Sequence, residues 1–400
     1  MSLASPGNGP APGALSRRRA LAWGCAHCAA VLAGGAAAAP LPDDWQLPPR
    51  LTRPEIDGDE GGLWALVDRE ETRLRRSAFV LRDATLRDYL TGMACKLGGA
   101  HCADTRVYAV RTPWFNASMA PNGMMQVWTG LLLRAENEAQ LAAVMGHEIG
   151  HYLQRHSLAR LRDAKSRSAA MGVMAFAGGV GLIGQVALLA GMAAYSREHE
   201  TEADRIGLLL MRRAGYDTRA AAQVWANLRD ELKAGAGGDP AQRSVMLATH
   251  PGVVERQAEL QALAGEGGGF AGDAEYAARL EPLMADLIDD ELRRGQVDES
   301  IVLFARLAQR RPTRGDLRYA RGEALRLRAG PGDAEAALAD YGAALTLERP
   351  PPQTHRALAL LHRAQGRRAE ARPHLAAYLQ QAPNAPDAAL IQSYLDEAPP

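Results

Sequence analysis

Aromatic side chains are scarce in this 400-residue chain, at 5 %. Ala, Arg, Leu and Gly are plentiful instead, a composition that favours helices over sheets. Net charge is absent as well, because 46 Lys and Arg balance 46 Asp and Glu. No general attraction to nucleic acid or to acidic substrates follows, so nucleic acid is not an expected partner. The N-terminal apolar run is short, which favours a cleaved segment over the alternative of an uncleaved membrane anchor. It follows Arg17, Arg18 and Arg19 and runs into small residues near Ala36 to Ala39. That is the pattern of an export signal over residues 1–39, for the Sec or twin-arginine route, and the expected compartment is the periplasm. Cysteine is sparse too. Of the four, Cys25 and Cys28 fall in the signal, which leaves Cys95 and Cys102. In an oxidising compartment these two are expected to close a small loop through CKLGGAHC.

Helical apolar spacing runs over Leu63 to Arg75 and Thr85 to Leu97. RVYAV (Arg106 to Val110) alternates like a strand. NASMAPNGMMQVWTG reads as a hairpin, with Pro121-Asn122-Gly123 at the turn. A helix follows, with Asn137 as N-cap and Gln140 at the capping-box position. The uncharged stretch Ser168 to Ser196 is long enough to span a bilayer but is broken by glycines. It is read as a buried hairpin or lid, with membrane contact left open. A helix resumes at SREHETEADRIG and ends at Gly215. A loop is expected at Ala234 to Pro240, another helix after Pro251, and a flexible boundary at Ala264 to Asp273.

Beyond that boundary, Gly295, Gly332 and Gly366 recur at intervals of roughly 34 to 37 residues. Each is followed five residues later by a small residue, Ser300, Ala337 and Ala371. Pro312, Pro350 and Pro383 close the units. This is the look of tetratricopeptide repeats, helix pairs that offer a concave surface to peptides or partner proteins. The expected fold class is mainly α. An α+β catalytic domain with a small sheet (40–265) is followed by a helical repeat domain (266–400).

The chemistry centres on VMGHEIGHYLQRH. His147 and His151, four apart on a helix, share one face and can aim ring nitrogens at one zinc ion. Glu148 lies beside that position, placed to accept a proton from an activated water. With ten histidines in the chain, this triple arises by accident in on the order of one or two per cent of such sequences. A third ligand is therefore needed. The metzincin pattern is absent, because Gln154 and Ser157 stand where its glycine and third histidine would be. His156 is one place off and reads as a surface histidine near the helix end. Glu198, Glu200 and Glu202 on the later helix are all candidates. Glu200 has Asp204 four residues on, so one carboxylate could bind the metal while the other receives a ligand histidine's distal N–H.

HEIGH followed by Glu-x-x-Ala-Asp (Glu200 to Asp204), with the preceding Asn-Ala and Pro-x-Gly hairpin, resembles the HtpX / CAAX-prenyl-protease / BepA family of gluzincin metalloendopeptidases. Among them it is most like the secreted branch with C-terminal repeats, the BepA type. The resemblance implies one Zn2+ per chain held by His147, His151 and Glu200, with Glu148 as general base and Asp204 as orienting partner. It also makes THPGVVER meaningful. His250 and Arg256 would meet the oxyanion of the tetrahedral intermediate, and His250 could instead take a fourth zinc position and hold the enzyme latent. The strand near Trp114 to Met119 would pair with an extended substrate. Expected partners are polypeptides, misfolded or stalled envelope proteins, with outer-membrane assembly machinery met through the repeats. The alternative is a mostly latent chaperone or assembly adaptor acting through the repeat domain.

Overall fold

The computed structural model describes residues 41–168, 194–235 and 244–397. The expected export signal, nearly all of Ser168 to Ser196 and most of the loop at Ala234 to Pro240 lie outside the described residues. The fold is mainly α, with one three-stranded sheet among the described residues. None of the described helices is long and apolar enough to cross a membrane.

Helices α1 (Asp59–Arg76) and α2 (Ala84–Gly98) come first. Asp83 caps α2 by accepting the Leu86 N–H at 2.8 Å. A disulfide joins Cys95 near its end to Cys102 in the following 3-10 turn. Strands β1 (Arg106–Val110), β2 (Ala117–Met119) and β3 (Met124–Trp128) form the sheet, with β3 central. β1 runs parallel to β3 with Arg106 opposite Met124, and β2 runs antiparallel with Ala117 opposite Val127. Successive β3 side chains alternate between two cores. Met125 and Val127 join the main core, while Met124 and Trp128 pack with Val67 and Leu74 of α1. That is why β3 reads as a continuous apolar run. The β2–β3 turn has Gly123 at φ +87°, where a Cβ would lie 2.1 Å from the Asp104 carbonyl oxygen, so only glycine fits. Backbone bonds from Leu81 to Ala109 (2.9 Å) and from Arg111 to Phe79 (2.7 Å) cover the outer edge of β1. Among the described residues, no strand pairs with the outer edge of β2.

The chain continues through α3 (Thr129–Arg134), α4 (Glu138–Leu153), α5 (His156–Ser168), α6 (Arg197–Arg213), α7 (Arg219–Ala234), α8 (Val245–Thr249) and α9 (Val253–Ala264). The Asn137 side chain caps α4 by accepting the Gln140 N–H at 3.0 Å. The return bond of the capping box falls one residue early, from Glu136 N–H to Gln140 Oε1 at 3.0 Å. Every residue of α4 is buried.

The glycine-rich stretch expected as a flexible boundary is instead pinned. Phe270 N–H donates to Gly215 O at 2.8 Å, Asp217 N–H to Phe270 O at 3.1 Å, and Ala139 N–H to Ala271 O at 2.9 Å. Gly269 has φ +117°, and a Cβ there would lie 2.8 Å from the Gly215 and Tyr216 backbone. Gly269 thus serves close backbone approach, not slack. Helices α10 (Asp273–Leu280), α11 (Met284–Arg293), α12 (Val297–Arg310), α13 (Gly315–Arg328), α14 (Asp333–Ala344), α15 (Gln353–Ala364), α16 (Arg368–Gln381) and α17 (Ala388–Asp396) follow. The repeating landmarks have physical roles. Gly295, Gly332 and Gly366 have φ of +76°, +80° and +75°, and Ser300, Ala337 and Ala371 are all buried. Leu303, Phe304 and Leu307 of α12 belong to the same core as Trp225 and Leu228 of α7. Buried Arg134 bonds Glu231 of α7 at 2.7 Å and Glu291 of α11 at 2.8 Å, joining the same two regions.

Candidate metal centre

Helices α4 and α6 cross where their sequences supply the smallest residues. A Cβ on Gly150 would lie 2.9 Å from the Ala203 carbonyl oxygen, and one on Gly207 would lie 3.0 Å from the His147 backbone nitrogen. This close crossing sets Glu200 and Asp204, one turn apart on α6, against the histidine face of α4.

His147, His151, Glu200 and His250 converge, all buried, with ligand atoms within 4.8 Å of one another. His147 Nε2 lies 3.0 Å from His151 Nε2 and 3.3 Å from His250 Nδ1. Glu200 Oε1 is 3.4 Å from His151 Nε2, and Oε2 is 3.6 Å from His147 Nε2. Donors about 2.0–2.1 Å from a tetrahedral zinc are spaced roughly 3.3 Å apart, so this set fits zinc. The Glu148 carboxyl gives a second sign of fit. Its Oε1 is buried without a hydrogen-bond partner among the described residues and lies 3.5 Å from His250 Nε2. The nearby Met119 backbone, on the β2 strand, hydrogen-bonds the same carboxylate.

The distal nitrogens are held as well. His147 Nδ1 donates to Asp204 Oδ1 at 2.8 Å, which leaves Nε2 facing the cluster. Arg256 donates from Nε to Asp204 Oδ2 at 2.7 Å and from Nη2 to Oδ1 at 2.6 Å, and from Nη1 to Glu200. The guanidinium thus sits behind the donor set, with its N–H groups on the carboxylates of Glu200 and Asp204. Burial works against ionising these groups, but neighbours decide the outcome. His250, with the hydrogen bonds of His151 and His250, holds Glu200 far below the usual carboxylate range despite burial. Arg256 holds Asp204 low in the same way. Burial keeps His151 well below the ordinary imidazole value, and the same effect raises the Glu148 carboxyl above its ordinary value. The raised value suits a carboxyl that must pick up a proton.

His156 is not a surface residue. It is buried, and its Nδ1 lies 2.8 Å from His151 Nδ1. Continuing the helix would carry it to another face. Arg155 instead takes a left-handed φ of +55°, ends α4 and turns His156 back. Tyr195 also joins the site, stacked on the His151 ring at 3.9 Å and 21°. Its position is set by Thr249, whose carbonyl accepts the Tyr195 N–H at 3.1 Å. Nothing in the local pattern around Tyr195 signals this.

Comparison with known proteins agrees with this centre. Residues 80–264 match the model of peptidase family M48. A beta-barrel assembly-enhancing protease of Escherichia coli is 30 % identical over 195 residues, 45 % of this chain and 39 % of its own length. A counterpart in Vibrio cholerae is 33 % identical over 196 residues, 44 % of this chain and 39 % of its own. The mitochondrial metalloendopeptidase OMA1 of Schizosaccharomyces pombe is 34 % identical over 154 residues, 38 % of this chain and 44 % of its own. The chain therefore spans less than half the length of these relatives. What they share with it is the stretch that builds the two crossing helices, and over that stretch, residues 80–264, the chain is similar to peptidase family M48.

Proposed function

We propose that the chain is a metalloendopeptidase of the periplasm that hydrolyses peptide bonds in misfolded or stalled envelope polypeptides. The observation that carries this is Glu148, a buried carboxyl with an oxygen unpartnered among the described residues, beside four converging donors. Zinc held by His147, His151 and Glu200 would supply Lewis acidity, polarising the scissile carbonyl and bringing the pKa of water toward about 7. Glu148 takes the proton of the attacking water and passes it to the leaving amine. The outer edge of β2, next to Glu148, is where an extended substrate adds as a strand. Asp204 orients His147. Arg256 holds Asp204 and Glu200, a role supported by its hydrogen bonds to both, and the oxyanion contact falls to His250.

His250 also supports a resting state. Its Nδ1 is 2.9 Å from Glu200 and 3.3 Å from His147 Nε2, within the donor set itself. A fourth protein ligand there competes with substrate. This favours a second reading, a mostly latent chaperone or assembly adaptor working through its C-terminal helices. We assign 1–39 as an export signal, 40–265 as the peptidase domain and 266–400 as tetratricopeptide-like repeats that meet outer-membrane assembly machinery. The left-handed glycines and buried small residues at matching places support the repeats. Ser168 to Ser196 would be the segment that meets lipid, if any does.

Glu148→Gln separates the readings. Cleavage of an unfolded outer-membrane protein should fall about 10²–10⁴-fold with zinc retained. If the zinc-loaded variant sustains every cellular role, peptide hydrolysis is not the main function.

A further inference from the structure

His151 reaches the cluster through Nε2, which must offer a lone pair to a metal, so its proton belongs on Nδ1. That Nδ1 faces His156 Nδ1 at 2.8 Å. Two ring nitrogens so close need one donor and one acceptor. With His151 donating, His156 accepts at Nδ1 and carries its own proton on Nε2. His156 Nε2 lies 3.2 Å from Glu202 Oε2, an acceptor. The three groups therefore form a directed chain from His151 through His156 to Glu202. Each hydrogen bond runs the way that leaves His151 Nε2 free. The ring of His156 is further held by His199, stacked at 4.2 Å and 27°. The left-handed φ of +55° at Arg155, uncommon for a residue with a Cβ, is the local cost of turning His156 into place.

We infer that His156 and Glu202 are a positioning pair that fixes the tautomer of His151 and thereby its hold on zinc. The inference rests on the metal-centre reading above. It gives the second histidine the support that Asp204 gives the first, through an imidazole instead of a direct carboxylate. It also gives Glu202, a neighbour of the ligand Glu200 with no place in the reaction, a defined task. Its side chain is 47 % exposed, so the pair ends at the protein surface.

The test compares zinc affinities of the full chain by competition with a chromophoric chelator. His156→Phe keeps the ring and its stack on His199 but removes the acceptor. His156→Gln replaces the acceptor without the ring. The Phe variant should bind zinc about 10–100-fold more weakly, with the melting temperature of its metal-free form unchanged. The Gln variant should recover most of that loss. Undiminished affinity in His156→Phe overturns the inference. So does a Gln variant as weak as the Phe variant, because an acceptor restored without effect is not what holds His151. If His156→Phe does not fold, Glu202→Ala decides: weakened zinc binding supports the pair, and unchanged binding overturns it. A wild-type chain that binds no zinc overturns the metal-centre reading and this inference together. A zinc-binding wild type with an unaffected Phe variant overturns the inference alone.

Discussion

Gly207 lies against Gly146 where α6 crosses α4, with a Cβ built on Gly207 falling 3.2 Å from the Gly146 carbonyl carbon and 3.0 Å from the His147 nitrogen. The metal centre depends on this closeness, because Glu200 and Asp204 hang from the same helix as Gly207. At Gly150 the clash would be tighter, 2.9 Å to the Ala203 carbonyl oxygen. Both obstacles are backbone, which cannot rotate away. Gly150→Ala should therefore cost about 1–3 kcal/mol in urea unfolding of the metal-free chain. It should also weaken zinc binding, since the helices must part. Wild-type stability with weakened zinc binding would mean that the crossing matters for alignment only.

Arg256 is the counter-charge for two buried carboxylates, donating to Asp204 at 2.7 and 2.6 Å and to Glu200. Arg256→Leu leaves them facing each other in a dry site. Breaking a buried pair from one side costs about 3–5 kcal/mol, so the metal-free variant should unfold at much lower urea. Arg256→Lys restores a charge but not the fork and should fall between the two. If zinc is present during the measurement, the deficit should shrink, because the ion then neutralises Glu200.

Glu71 of α1 fastens the sheet by accepting from Arg106 Nε and Nη2 at 2.6 Å each, Tyr108 Oη at 2.8 Å and Asn122 Nδ2 at 2.9 Å. Burial alone would raise its carboxyl, but the hydrogen bonds from Arg106, Tyr108 and Asn122 hold it below the ordinary value. A carboxylate lowered on folding stabilises the native state above its unfolded pKa of about 4.3 and loses that contribution as pH falls through the folded value. Glu71→Gln should thus be less stable than wild type by about 1–3 kcal/mol at pH 7. The difference should close on acidification below pH 4, as read from urea midpoints against pH. A constant gap at all pH values would assign the loss to packing.

Much of this architecture is legible from local rules. β1 spans Arg106–Val110, where RVYAV alternates, and Asn137 caps α4 through its side chain. Periodicity sets that His147 and His151 share a face, and that Glu200 and Asp204 share one. It leaves Glu198, Glu200 and Glu202 all open as third ligand, and Glu200 follows only from the family resemblance. Periodicity fails where the helix stops. His156 sits one residue past a left-handed Arg155, and no glycine or asparagine announces that turn. Arg256 could be named from its neighbourhood in the sequence, but its partners could not. They are fixed by how α9 meets α6, a tertiary matter. The glycines at 265–272 carried a signal that local rules misread, since glycine serves slack and close approach equally well.

His250 is the residue on which latency turns. It lies 2.9 Å from Glu200 Oε1 and 3.5 Å from Glu148 Oε1, so it stands between the proposed third ligand and the proposed base. A ring in that place restricts access for a carbonyl and a water. His250→Ala keeps His147, His151 and Glu200 and should still bind one zinc ion. Turnover of an unfolded outer-membrane protein should rise several-fold relative to the resting wild type, because clearing the entrance outweighs the lost oxyanion contact in a chain that rests latent. The opposite result has its own size. Loss of an oxyanion donor costs about 10²–10³ in rate, so a fall of that order would make His250 a donor the reaction needs and not a plug. Measured alongside Glu148→Gln, which should stay inactive in either background, the double variant His250→Ala/Glu148→Gln shows whether any gained turnover belongs to this site.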